Sequence, residues 1–148
     1  MKPSKYALLV GLAEEKQEAA AERMRQAQAR LAEALSRLDQ LDAFRNEYRQ
    51  RLLQGGGQGM AVAQWQDFHR FIARLDEAMA TQQTEVDRCK QTFLLARQAW
   101  NNERKQLKAF ETLIERERAR QEVLEAKRQQ KLSDEFATRR FWDKQHED

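Results

Sequence analysis

Gly55-Gly56-Gly57-Gln58-Gly59 is the only cluster of helix breakers in this 148-residue chain, and its reading decides the fold. Glycine ends helices and populates turn conformations at little steric cost. Downstream, from Met60 to Asp148, there is neither Gly nor Pro. That stretch would span ~130 Å as a helix rising about 1.5 Å per residue. Upstream, Gly11 is the one other glycine, and it costs a helix roughly 1 kcal/mol relative to Ala. Pro3-Ser4 suits a helix start, with Ser4 as N-cap. The spacing predicts helix one over about 4–54, a turn at 55–59 and helix two over about 60–142.

Periodicity separates a coiled coil from a charged, disordered chain. Before the glycines, alternating steps of four and three pass through Tyr6, Val10, Ala13, Gln17, Ala20, Met24, Ala27, Leu31, Ala34, Leu38, Leu41, Arg45, Tyr48 and Leu52. Only Gln17 and Arg45 are polar. After the glycines the same rule gives Trp65, Phe68, Ile72, Leu75, Met79, Gln82, Val86, Cys89, Phe93, Ala96, Trp100, Glu103, Leu107, Phe110 and Ile114, broken only by Gln82 and Glu103. Heptads sustained over this length indicate a left-handed coiled coil. The expected fold is all-α: a long two-helix antiparallel coiled-coil hairpin with a C-terminal helix overhang.

Folding the chain about residue 57 pairs residues whose numbers sum to about 113 across the antiparallel seam. Ala13 then faces Trp100, Ala20 faces Phe93, Ala27 faces Val86 and Ala34 faces Met79. Small residues on helix one meet large ones on helix two, which keeps a two-helix seam dense. A one-heptad shift would also set large residues against alanines, so loop length is what selects this register. Helix two runs out of partner near residue 110, opposite the start of helix one. The continuing frame of Glu117, Gln121, Leu124, Arg128, Lys131, Glu135, Thr138 and Trp142 is largely polar. The chain beyond Ile114 should therefore project as a lone helix of ~50 Å, marginal in water without a partner.

Composition agrees with this reading and excludes much else. Charged residues make up 34% of the chain and the mean hydropathy is −0.95, values typical of long helices. Basic and acidic side chains number 27 and 24, so the pI near 9.2 reflects a small surplus rather than a polybasic surface. Residues 101–148 carry 12 basic and 11 acidic side chains in mixtures such as Glu115-Arg116-Glu117-Arg118. A helix that tracks phosphates needs an unopposed basic stripe, so no nucleic-acid partner is expected.

No apolar run approaches a membrane span, and Met-Lys-Pro-Ser-Lys lacks a signal-peptide core, which predicts an intracellular chain without membrane insertion. His69 and His146 belong to no metal-ligand spacing, Cys89 falls on the seam, and the glycine cluster lacks the Lys-Ser/Thr of a phosphate-binding loop. No catalytic, cofactor or metal site is expected, and the chain does not read as an enzyme.

One surface feature stands apart from the seam. Phe44 and Phe71 each precede a seam residue and occupy g positions, which flank one another in an antiparallel pair. Ala78 is the next g residue. Phe44, Tyr48, Phe71, Leu75 and Ala78 thus form an apolar patch spilling off the seam near the turn. Grouped exposed aromatics mark a partner site, whereas a locally widened seam would bury them.

Several strings then acquire a meaning together. Asn46-Glu47-Tyr48-Arg49, Trp65 with Phe71-Ile72, Lys105-Gln106-Leu107-Lys108-Ala109-Phe110-Glu111-Thr112-Leu113 and Asp134-Glu135-Phe136-Ala137 resemble the FliJ family of flagellar type III export proteins in order and spacing. The resemblance implies a cytoplasmic component, peripherally associated with the inner membrane through the export apparatus. It implies an antiparallel coiled coil similar to the central stalk of rotary ATP synthases, inserting into the export ATPase ring and promoting its assembly. It further implies contact with the membrane export gate protein FlhA and with export chaperones or substrates.

Family gate-docking positions fall on Phe71, Leu75, Ala78 and Gln82, the last often His in the family; Phe44 and Tyr48 join them through the patch. Arg116, Arg118, Arg120, Arg128, Arg139 and Arg140 on the overhang are the candidates for pairing with the ring, since a guanidinium binds a carboxylate through two hydrogen bonds. The alternatives are a passive chaperone or scaffold that binds export substrates, and the equivalent stalk of a virulence type III secretion system.

Overall fold

The computed structural model describes residues 5–56, 59 and 61–146. It is all-α, with two long helices packed against each other: α1 over Ala7–Gly56 and α2 over Val62–Gln145. Both are built from good helix formers, and their exposed faces carry pairs one turn apart that support isolated helices. Arg25 bridges Glu22 at 2.8 Å and Glu18 at 2.9 Å, Arg37 pairs with Glu33 at 2.8 Å, and Arg88 pairs with Glu85 at 2.6 Å. The hydrogen bond from Arg25 holds the Glu22 carboxyl below its ordinary range, and that from Arg88 does the same for Glu85.

The heptad frame matches the burial. Every seam position named above is buried or half-buried except Trp65, which is 47% exposed. Ala13, Ala20, Ala27 and Ala34 are the buried residues of the frame on α1, against Ile72, Val86 and Cys89 on α2. Small residues let the two backbones approach, and the larger α2 side chains fill the space.

Tertiary contacts divide the chain into two units, residues 17–102 and residues 1–16 with 103–148. In the first, Ala34, Val86 and Cys89 form one buried cluster with Leu31 and Leu38 packed against it. The Gln82 amide donates to the Ala34 carbonyl at 3.0 Å. Ala34 therefore sits opposite Val86, not Met79. The expected register is wrong by one heptad, and the corrected one brings Phe93 level with Ala27 and Trp100 level with Ala20.

The turn accommodates this register. Helix α1 continues through Gly55 and Gly56, α2 starts only at Val62, and the midpoint falls at Gly59, whose φ is +78°. Only glycine adopts that conformation without strain. Moving the fulcrum toward the C-terminus by one residue shifts the pairing by two, and facing seams admit only whole-heptad steps. The expected turn at 55–59 is thus corrected at Gly55 and Gly56, which are helical. Gly57, Gln58 and Met60 lie outside the described residues, as do Pro3 and Ser4 of the expected helix start.

In the second unit, Tyr6 just before α1, Val10 and Ala13 of α1, and Leu107, Phe110 and Ile114 of α2 are buried or half-buried. Burial on α2 ends at Glu117, one turn beyond the expected limit at Ile114. From Arg118 to His146 every residue is exposed. Lys144 in the last turn complements the helix dipole, and the His146 ring nitrogen Nδ1 lies 3.0 Å from the Trp142 carbonyl.

Candidate partner-binding surfaces

Near the turn, the flanks of the seam differ in chemistry. In an antiparallel pair the e positions of both helices share one flank and the g positions share the other. The e flank is charged. Arg45, at a seam position, donates Nη2 to Asp42 at 2.8 Å and Nη1 across to Asp76 of α2 at 3.1 Å, while Arg49 approaches Asp76 at 3.9 Å. Leu38 and Met79 close the floor of a shallow groove among these charges. Arg45 is three-quarters buried and its Nε has no hydrogen-bond partner.

The g flank is apolar. Phe44 is 54% exposed and Phe71 38% exposed, and Ala78 is exposed. Tyr48 reaches from α1 onto α2: its ring centre lies 4.5 Å from that of Phe71 and 5.9 Å from that of Phe68, both tilted. Arg51 stands over the Tyr48 ring at 5.6 Å. Aromatic pairs at such separations contribute roughly 0.5–1.5 kcal/mol beyond the area they bury.

Of the six residues singled out for gate docking, the structure brings Tyr48 and Phe71 into contact. Phe44 makes no ring contact among the described residues. Leu75 is half-buried in the seam, and Gln82 is turned inward onto the Ala34 carbonyl.

The six arginines singled out for ring pairing are all exposed. Arg128 lies 4.0 Å from Glu125; among the described residues the other five make no ion pair. The same stretch exposes Val123, Leu124, Leu132, Phe136, Phe141 and Trp142, each more than half exposed. Sequence reasoning named Leu124 and Trp142 only as frame positions and Phe136 only within a string, and did not read the six as one exposed apolar set because they follow no single heptad stripe. It also passed over the Asp42–Arg45–Asp76 bridge, although Arg45 was visible as a break in the frame. The signal available was a carboxylate at an e position on each helix.

Cys89 belongs to the buried cluster, and burial pushes its thiol above the ordinary range. Among the described residues no group of three potential ligands could hold a metal, and no helix is long and apolar enough to cross a membrane.

The family model described as Flagellar FliJ protein matches residues 1–146. The Flagellar FliJ protein of Salmonella typhi is 30% identical over 131 residues, which cover 88% of this chain and 89% of that protein. The Flagellar FliJ protein of Escherichia coli (strain K12) is 29% identical over 133 residues, covering 90% of each.

Proposed function

Because this chain belongs to the FliJ family of flagellar proteins, we propose that it is the stalk of the flagellar export apparatus, joining the export ATPase ring to the export gate. Family membership makes it a flagellar export component. The observation that carries the finer reading is the uncovered part of α2. From Arg118 to Gln145 the helix exposes large apolar side chains and, apart from Arg128 beside Glu125, arginines without a carboxylate partner among the described residues, at a cost in water that a surrounding partner would remove. Arg116, Arg118, Arg120, Arg128, Arg139 and Arg140 would pair with acidic groups lining the ring, and the neighbouring apolar side chains would be buried by it. Gate docking would use the g flank, with Phe44, Tyr48, Phe71, Leu75 and Ala78 presented to FlhA and Gln82 supporting them from inside the seam.

The mechanism is linkage. A helix contacts the subunits around a ring unequally, so binding favours particular subunit states and shifts assembly or turnover by the difference in affinity. No reacting group is required of the stalk. Localisation would be cytoplasmic and peripheral to the inner membrane, through the gate.

A passive chaperone is the second reading, and the exposed Phe44–Tyr48–Phe71 edge favours it, since apolar segments of unfolded cargo would suit the same surface. Turnover and ring formation by the purified cognate ATPase, with and without this chain, separate the two. Stimulation that disappears on truncation after Leu113, with gate binding kept, supports the stalk. Unaltered turnover with cargo binding retained supports the chaperone.

A further inference from the structure

Two registers of the hairpin, one heptad apart, are nearly equivalent in their apolar packing. In the observed register Ala34, Ala27 and Ala20 lie level with Val86, Phe93 and Trp100; in the slipped register they would meet Met79, Val86 and Phe93. Both set small residues against large. The turn discriminates little, because the slip asks mainly that Gly55 and Gly56 leave α1, and glycine is the poorest helix former after proline. Something else must choose.

We infer that Arg45 is a positioning residue that selects the hairpin's register, and through it assembles the Tyr48–Phe71 edge. It makes a polar contact between the helices that the slipped register cannot reproduce. Arg45 bonds Asp76, the only carboxylate among the consecutive e positions His69, Asp76, Gln83 and Lys90 of α2. A one-heptad slip sets it against His69. A largely buried guanidinium, already with an unpartnered Nε, would then lose its counter-charge on the other helix.

Gln82 gives the Ala34 carbonyl a donor at 3.0 Å. A slip would carry the same amide to the carbonyl of Ala27, one heptad along, so this bond ties the helices together without choosing between the registers. The choice falls to Arg45, since a charged residue within an otherwise apolar seam is a known way to fix register at some cost in stability. The consequence reaches the surface. In the slipped register Tyr48 lies level with Trp65, and Phe71 leaves Tyr48 to stand beside Phe44. This inference concerns the fold of the free chain and stands whether or not the gate docks at that edge.

Spin labels at the exposed positions Ser36 and Gln98, in a Cys89→Ala background, measure the register directly. A slip by one heptad lengthens the axial offset between them by about 10 Å. The parent chain should give a single distance. Arg45→Leu should add the longer distance in at least about a tenth of molecules while helicity is kept. Moving the counter-charge by one heptad, with Asp76→Gln and His69→Asp together, should make the longer distance the major one. A single, unshifted distance in both variants would overturn the assignment, since the turn and the apolar packing would then suffice.

Discussion

The stretch of α2 around Ile72 to Cys89 and the stretch from Arg118 to Gln145 belong to one uninterrupted helix, yet they differ in what holds them. In the first, Ile72, Val86 and Cys89 are buried, the last two against Ala34, Leu31 and Leu38 of α1. In the second every residue is exposed, including Leu124, Leu132, Phe136 and Trp142. Both stretches contain large apolar residues among many charges. A helix is fixed by an amphipathic face only when another surface covers that face, since propensity alone leaves an isolated helix marginal.

Equal truncations in the two regions test this contrast most sharply. Ile72→Ala should cost about 2–4 kcal/mol by loss of burial and creation of a cavity. Leu124→Ala should stay within about 0.5 kcal/mol, as surface substitutions do. Urea titrations followed by circular dichroism give both values. Similar costs at the two sites would mean that the exposed stretch has a covering surface in the free chain.

Phe71→Ala asks whether the g flank serves a partner. Binding to the gate should weaken by roughly 2 kcal/mol, the scale of an aromatic anchor. Loss of the Tyr48 ring contact should cost the fold only about 0.5–1.5 kcal/mol. Calorimetric titration against the cytoplasmic part of the gate, beside a melting curve, reads both. Parallel losses would reduce Phe71 to a seam residue.

Ala20→Leu probes the seam from the small side. With Trp100 level with it in the observed register, added bulk should destabilise by about 1–3 kcal/mol. A neutral effect would mean that α1 and α2 leave spare volume there.

Replacing Arg116, Arg118, Arg120, Arg128, Arg139 and Arg140 by Gln should reduce ATPase stimulation less than truncation after Leu113 does. The loss should be plainest in dilute salt, because exposed ion pairs are screened. If the loss is independent of salt, the arginines act by packing rather than by charge. The smallest effect is expected at Gly11. A Cβ there would meet nothing within 4 Å, so Gly11→Ala should stabilise α1 by about 0.5–1 kcal/mol, visible as a higher melting temperature.

What the sequence determined by itself is the local part of this protein. Helix periodicity is set by the backbone, so steps of three and four were enough to name the buried face of α1 from Tyr6 to Leu52 and of α2 from Phe68 to Ile114. The same steps put Phe44 and Phe71 off the seam and Arg118 to Trp142 beyond it. The register was not legible, because a heptad repeat looks the same after a shift of seven. Its resolution needed three things that lie far apart in the chain: the helical state of Gly55 and Gly56, the Arg45–Asp76 bridge and the Gln82 bond to Ala34. The inward turn of Gln82, and the exposure of Trp65 at a position that the frame calls buried, belong to the same class. Periodicity says which way a side chain points on its own helix; only the opposing helix decides what it meets there.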